Sequence, residues 1–74
     1  MKLKLKAGTN FKIVKINHEH SAGKRLIDMG LTPDTTVSVE QVAPFGDPYI
    51  IKVRNYLLAV RKKDLLAAKI EITP

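Results

Sequence analysis

One segment, Ser21 to Pro33, reads Ser-Ala-Gly-Lys-Arg-Leu-Ile-Asp-Met-Gly-Leu-Thr-Pro and describes a short amphipathic helix with a start, an apolar face, a glycine stop and a proline-marked exit. Ser21 is the expected N-cap, its hydroxyl accepting from an otherwise unpaired amide of the first turn. Lys24 stands where a capping box would need Glu or Gln, so the reciprocal half of that motif is absent. Ala22, Leu26 and Met29 fall at i, i+4 and i+7 and form one apolar stripe. Lys24 and Asp28 lie four apart on the other side, a surface pair in the less favourable order. Gly30 suits the left-handed position that ends a helix, and Leu31 returns the chain to the core. Thr32-Pro33-Asp34-Thr35 then reads as a turn with proline preset at its second position.

Nearly everything around this helix has the pattern of β-strands. Ala7-Gly8-Thr9-Asn10 is a turn signal, followed by a β-branched and aromatic run from Phe11 to Ile16. The apolar phase slips inside that run, with Phe11 and Ile13 on one face and Val14 and Ile16 on the other. A bulge, or burial of both faces, accounts for such a slip. Val37 and Val39 alternate with Thr36, Ser38 and Glu40 in a strand from Thr36 to Val42. Ala43 to Pro48 is a loop, and Tyr49 to Val53, Arg54-Asn55 and Tyr56 to Arg61 form a hairpin, with Asn55 the residue expected to accept positive φ. Lys62 to Ala68 has room for one or two helical turns, and Lys69 to Ile72 alternates as a closing strand. The expected fold is mainly β: one small barrel of about five strands, with one inserted helix and a short C-terminal helical turn, occupying residues 1–74 as a single domain.

Composition excludes several classes of function. With 74 residues the chain buries only roughly 60–65% of its unfolded surface, so its core must be compact. It has no cysteine, which rules out disulfides and thiolate metal sites and favours a reducing cytoplasm. The N-terminal Met-Lys-Leu-Lys-Leu-Lys lacks the apolar run of a signal peptide, and no stretch approaches the ~20 apolar residues of a membrane span. Thirteen Lys and Arg against seven Asp and Glu give a net charge of +6, which favours acidic partners. Lys2, Lys4 and Lys6 share one side of an extended segment, where lysines also discourage unwanted strand pairing. The four aromatic residues, Phe11, Phe45, Tyr49 and Tyr56, form no cluster suited to stacking bases, so nucleic-acid binding lacks support.

The order of these motifs resembles the FeoA family. Arg25-Leu26-Ile27-Asp28-Met29-Gly30-Leu31-Thr32-Pro33, then Pro44-Phe45-Gly46-Asp47-Pro48, then Leu58-Ala59-Val60-Arg61 carry the resemblance, which runs from about Leu5 to Ile72. Asp34 and Asn55 stand where that family commonly has glycine; both tolerate such geometry. The resemblance implies an SH3-like barrel without enzymatic activity and without a cofactor. It also implies a cytosolic accessory role in bacterial ferrous iron uptake, binding and modulating the G domain of a FeoB-type permease and reaching the inner membrane only through that partner. The same barrel occurs as the C-terminal domain of iron- and manganese-dependent repressors. Starting at Met1 with no room for a winged helix, this chain is expected to be free-standing. A repressor domain and a small basic nucleic-acid-binding module are the alternatives.

Candidate site residues follow from exposure and chemistry. Arg25 with Thr32 and Pro33 at the helix exit, Pro44, Phe45, Gly46 and Asp47 in the loop, and Arg61 are the expected partner-binding set, since recognition residues concentrate on loops borne by a rigid scaffold. Arg25 and Arg61 could each cover the barrel edge or an intramolecular carboxylate instead. His18 and His20, with Glu19 between them, are the candidate metal ligands, although histidines in a polar loop are more often simply solvated. Gly23-Lys24-Arg25 lacks the upstream glycine and the following Ser or Thr of a phosphate-binding loop. No Ser or Thr is matched with a histidine and an orienting carboxylate, so no catalytic residue is assigned.

Overall fold

The computed structural model describes residues 5–73. The elements run β1 (Asn10–Ile16), α1 (Ser21–Asp28), β2 (Thr36–Val42), β3 (Tyr49–Val53), β4 (Tyr56–Val60), α2 (Lys62–Leu65) and β5 (Ala68–Thr73). All five strands join one antiparallel sheet in the order β4-β3-β2-β1-β5. The expected arrangement of five strands, one inserted helix and a C-terminal helical turn is the one observed. The segment with Lys2 and Lys4 lies outside the described residues; Lys6 is exposed.

Two irregularities curl this sheet around its core. On β1 the register to β5 shifts between Ile13 and Lys15, so Val14 bulges outward while Ile13 and Ile16 both point in. The phase slip in the sequence is therefore a bulge, and Val14 is exposed. On β2 the register to β3 shifts between Val39 and Gln41. Bulges raise the local twist, which lets short strands wrap instead of lying flat. At the second bend the chain ahead of β1 crosses β2: Gly8 N–H donates to Val39 O at 2.7 Å, and Val39 N–H donates to Thr9 O at 2.8 Å. The turn there closes from Thr9 N–H to Lys6 O, one residue earlier than Ala7–Asn10.

Inside lie Phe11, Ile13 and Ile16 of β1, Val37 and Val39 of β2, and Tyr49, Ile51 and Val53 of β3. Leu26 of α1, Leu31 beyond it and Leu65 of α2 close the core, with Met29 half-buried against it. Tyr49 is buried, and its hydroxyl accepts from Leu5 N–H at 3.1 Å.

The helix starts one residue earlier than its sequence suggests. The N-cap is His20, not Ser21: His20 Nδ1 accepts from Ala22 N–H at 3.0 Å, and Ser21 is the first helical residue. An imidazole nitrogen serves as well as a hydroxyl when the preceding turn aims it at the second helical amide, and His20 N–H closes that turn onto Asn17 O. The far end behaves as expected. Gly30 has φ +92°, its N–H donates to Ile27 O, and Leu31 N–H donates to Leu26 O, which is a Schellman ending. Lys24 and Asp28 form no ion pair; among the described residues the ion pairs are Arg25–Asp64 and Arg61–Asp47. Gly23 is buried, and a Cβ there would overlap the Asn17 carbonyl oxygen, so the glycine permits the close approach of α1 to the end of β1.

The β3–β4 hairpin departs from expectation at its turn. Positive φ falls on Arg54 (52°), not on Asn55, while Asp34 does take the left-handed conformation at 72°. The turn holding Asp34 is pinned to β1 from both sides, Asp34 N–H to Ile13 O and Ile13 N–H to Thr35 O. Strand β4 ends at Val60, because Arg61 becomes the N-cap of α2.

Candidate functional site

The loop from Ala43 to Pro48 is built as a rigid pedestal. Gly46 N–H donates to Ala43 O at 2.7 Å, closing a turn with Pro44 and Phe45 at its centre, and Ala43 N–H reaches Pro48 O at 3.2 Å. Gly46 has φ +83°. Asp47 then anchors the loop to α2: its Oδ1 accepts from Lys62 N–H at 2.7 Å, and its Oδ2 lies 3.8 Å from Arg61 Nη1. The Asp47–Pro48 peptide bond is cis. Arg61, the N-cap residue, supplies no side-chain capping bond, so Asp47 satisfies a helix amide from outside the helix.

This pedestal presents Phe45 to solvent. The Phe45 side chain is 98% exposed, by a wide margin the most exposed large apolar residue described. An aromatic ring held clear of the core by a hydrogen-bonded loop gains nothing for folding. It does present a large contact area on a loop whose backbone is already hydrogen-bonded. Lys62 Nζ sits 6.0 Å from the centroid of the Tyr49 ring, and Arg61, largely exposed, faces Asp47, so two cations and one carboxylate stand beside the loop.

Arg25 is committed inside the molecule. Its Nη1 donates to Asp64 Oδ2 at 3.0 Å and Oδ1 at 3.1 Å, and Asp64 is buried. This pair ties α1 to α2, the intramolecular option that the sequence left open for Arg25. Arg61 likewise faces Asp47, with most of its side chain in solvent.

The expected set therefore falls into two places. Pro44, Phe45, Gly46, Asp47 and Arg61 gather beside the start of α2, and Arg25 reaches the same helix through Asp64. Thr32 and Pro33 lie at the other end of β2, whose seven residues separate the 32–35 turn from the 43–48 loop by roughly 20 Å along the strand. There the Thr32 hydroxyl meets the Thr35 hydroxyl at 3.2 Å.

His18 and His20 are both exposed. His20 uses Nδ1 to cap α1, and no group of three or more His, Cys, Asp or Glu side chains is arranged for a metal among the described residues. Sequence reasoning missed two residues that shape this surface. Asp64 is the lone acid after Arg61-Lys62-Lys63, a signal for the first turn of a helix, where acids are favoured. Tyr56 donates its hydroxyl to Met29 O at 3.0 Å and covers the end of α1; nothing local in the sequence signals that contact.

A curled five-stranded antiparallel sheet with one helix between β1 and β2, and an exposed loop on a rigid base, defines a small SH3-like module. Residues 3–74 match the FeoA domain family, and the chain belongs to that family. A curated relative from Porphyromonas gingivalis, the Fe(2+) transport protein A/Fe(2+) transporter FeoB fusion protein, is 34% identical over 68 residues. That match covers 92% of this chain but only 8% of the relative. The solution structure of a FeoA-like protein from Clostridium acetobutylicum superposes with a TM-score of 0.85 at 28% identity, covering 92% of this chain and 79% of that one. The crystal structure of Stenotrophomonas maltophilia FeoA complexed with zinc, described as an SH3 domain protein, gives a TM-score of 0.74 at 18% identity over 92% and 85% of the two chains. At that identity the likeness is one of fold. No helix among the described residues is long and apolar enough to cross a membrane.

Proposed function

We propose that this chain is an accessory module of ferrous iron uptake that binds the cytosolic G domain of a FeoB-type permease and modulates it, without chemistry of its own. It acts in the cytoplasm and reaches the inner membrane through that partner. One observation carries the reading: in the Porphyromonas gingivalis relative, the matching domain shares a polypeptide with the FeoB transporter. Joining two modules raises their effective concentration to the millimolar range for a short linker, a useful arrangement when the modules engage each other.

In this reading Phe45 is the anchor, entering an apolar pocket of the partner, with Arg61 pairing a carboxylate at the rim. Buried aromatic and Arg anchors carry most of the energy of such interfaces. The test is calorimetric titration of the whole chain against the purified cytosolic domain of a FeoB-type permease, nucleotide-free and with GDP or a GTP analogue. Saturable binding in at least one state is expected, and Phe45→Ser should weaken it about thirtyfold, the equivalent of about 2 kcal/mol. Absence of binding in all three states overturns the reading; binding indifferent to Phe45→Ser overturns the assigned anchor.

A further inference from the structure

The β1–β5 pair holds an arrangement that the Phe45 loop does not use. Its register sets Lys12 opposite Glu71, an attractive cross-strand pair, but sets Lys15 opposite Lys69. Residues directly opposed in an antiparallel pair share a face, and like charges there are destabilising. Both lysines are exposed, and neither makes an ion pair among the described residues. They flank an open groove of about 460 Å³, lined also by Ile16, Asn17, Leu66 and Ala67. Leu66, at the end of α2, leaves 48% of its surface in solvent there.

We infer that this groove receives an acidic segment of a partner protein, with an apolar side chain against Leu66 and a neighbouring carboxylate between the ammonium groups of Lys15 and Lys69. A carboxylate in that position turns the repulsion between the lysines into two attractive contacts. The exposed Leu66 offers an apolar contact that an inorganic anion has no side chain to use. The concave shape suits a peptide better than a flat lipid surface. Glu19, which also lines the groove, repels phosphates and carboxylates alike but can accept from a peptide N–H, which an inorganic phosphate lacks. The occupant is defined by this chemistry alone and does not depend on the permease being the partner.

The test follows amide chemical shifts of the ¹⁵N-labelled full chain during titration with a blocked peptide alternating glutamate and leucine. Its glutamine–leucine counterpart, inorganic phosphate and phosphatidylglycerol vesicles serve as the other arms. Saturable shifts centred on Lys15 to His18 and Leu66 to Lys69 are expected with the glutamate peptide, at least tenfold weaker with the glutamine peptide. Lys69→Glu should abolish those shifts and raise the melting temperature, because it replaces a repulsive cross-strand pair with an attractive one. Lys15→Gln should weaken binding without unfolding the chain. Equal response to phosphate alone, binding only to vesicles, indifference to glutamine replacement, or a Lys69→Glu variant that still binds or melts lower would each overturn the inference.

Discussion

Arg25 holds the Asp64 carboxylate through a single nitrogen, Nη1 lying 3.0 Å from Oδ2 and 3.1 Å from Oδ1, although the two sides of the pair are unequally buried. The Arg25 side chain is 57% exposed and that of Asp64 only 7%. Removing each partner should therefore have unequal consequences. Arg25→Ala leaves a buried carboxylate without its cation and should cost about 1–3 kcal/mol, the range for an orphaned buried polar group. Asp64→Asn releases an arginine already half in water, and solvent screening should hold the loss to about 1 kcal/mol or less. Urea unfolding of both variants checks the order; equal losses would mean that the burial asymmetry is irrelevant.

Gly30 and Tyr56 are coupled. A Cβ on Gly30 would lie 2.6 Å from Tyr56 Oη, while the ring carbon behind it is at an ordinary 3.9 Å. Gly30→Ala thus combines the left-handed backbone penalty of about 1–2 kcal/mol with a clash against the hydroxyl. Tyr56→Phe alone should cost about 1 kcal/mol through loss of its bond to Met29 O. In the double variant the clash is absent, so the two losses should sum to more than the measured total. A double-mutant cycle that came out additive would contradict this geometry.

Asp47 acts on α2 as a cap delivered from another loop. Asp47→Ala should lower stability by about 0.5–2 kcal/mol and speed exchange of the Lys62 amide, the donor it serves. Asp47→Asn keeps an acceptor oxygen and should recover most of the loss. If Asn were as damaging as Ala, the pairing with Arg61 would be the dominant contribution.

At the hairpin, the strained residue is Arg54. Arg54→Gly should stabilise the chain by about 0.5–1 kcal/mol by relieving its positive φ, whereas Asn55→Gly should bring no gain, because Asn55 has no positive φ to relieve. Melting temperatures of the two variants separate them directly.

Much of the barrel was legible because its signals are local. The stripe of Ala22, Leu26 and Met29, the stop at Gly30, the phase slip at Val14 and the alternation of Val37 and Val39 each depend on residues within one or two turns of chain. They hold in the folded protein. The misplacements at Ser21 and Asn55 have the same origin. A histidine capping a helix, or an arginine accepting positive φ, runs against intrinsic preference, and packing overrode both. In the candidate site, loop composition made Pro44 to Asp47 and Arg61 part of the expected partner-binding set. It could not separate Phe45, which is almost fully in solvent, from Arg25, which is spent on Asp64.

By itself the sequence determined the element types, their order and the apolar faces, since periodicity and turn chemistry act between near neighbours. Tertiary structure alone decided which polar groups meet. Arg25 and Asp64 are 39 residues apart, Tyr56 and Met29 are 27 apart, and Asp47 and Lys62 are 15 apart. Only the bulge-set register brings Lys15 opposite Lys69. Such pairings depend on where a curled sheet brings distant backbone together, and a one-residue shift of β5 against β1 would set a different residue opposite Lys15.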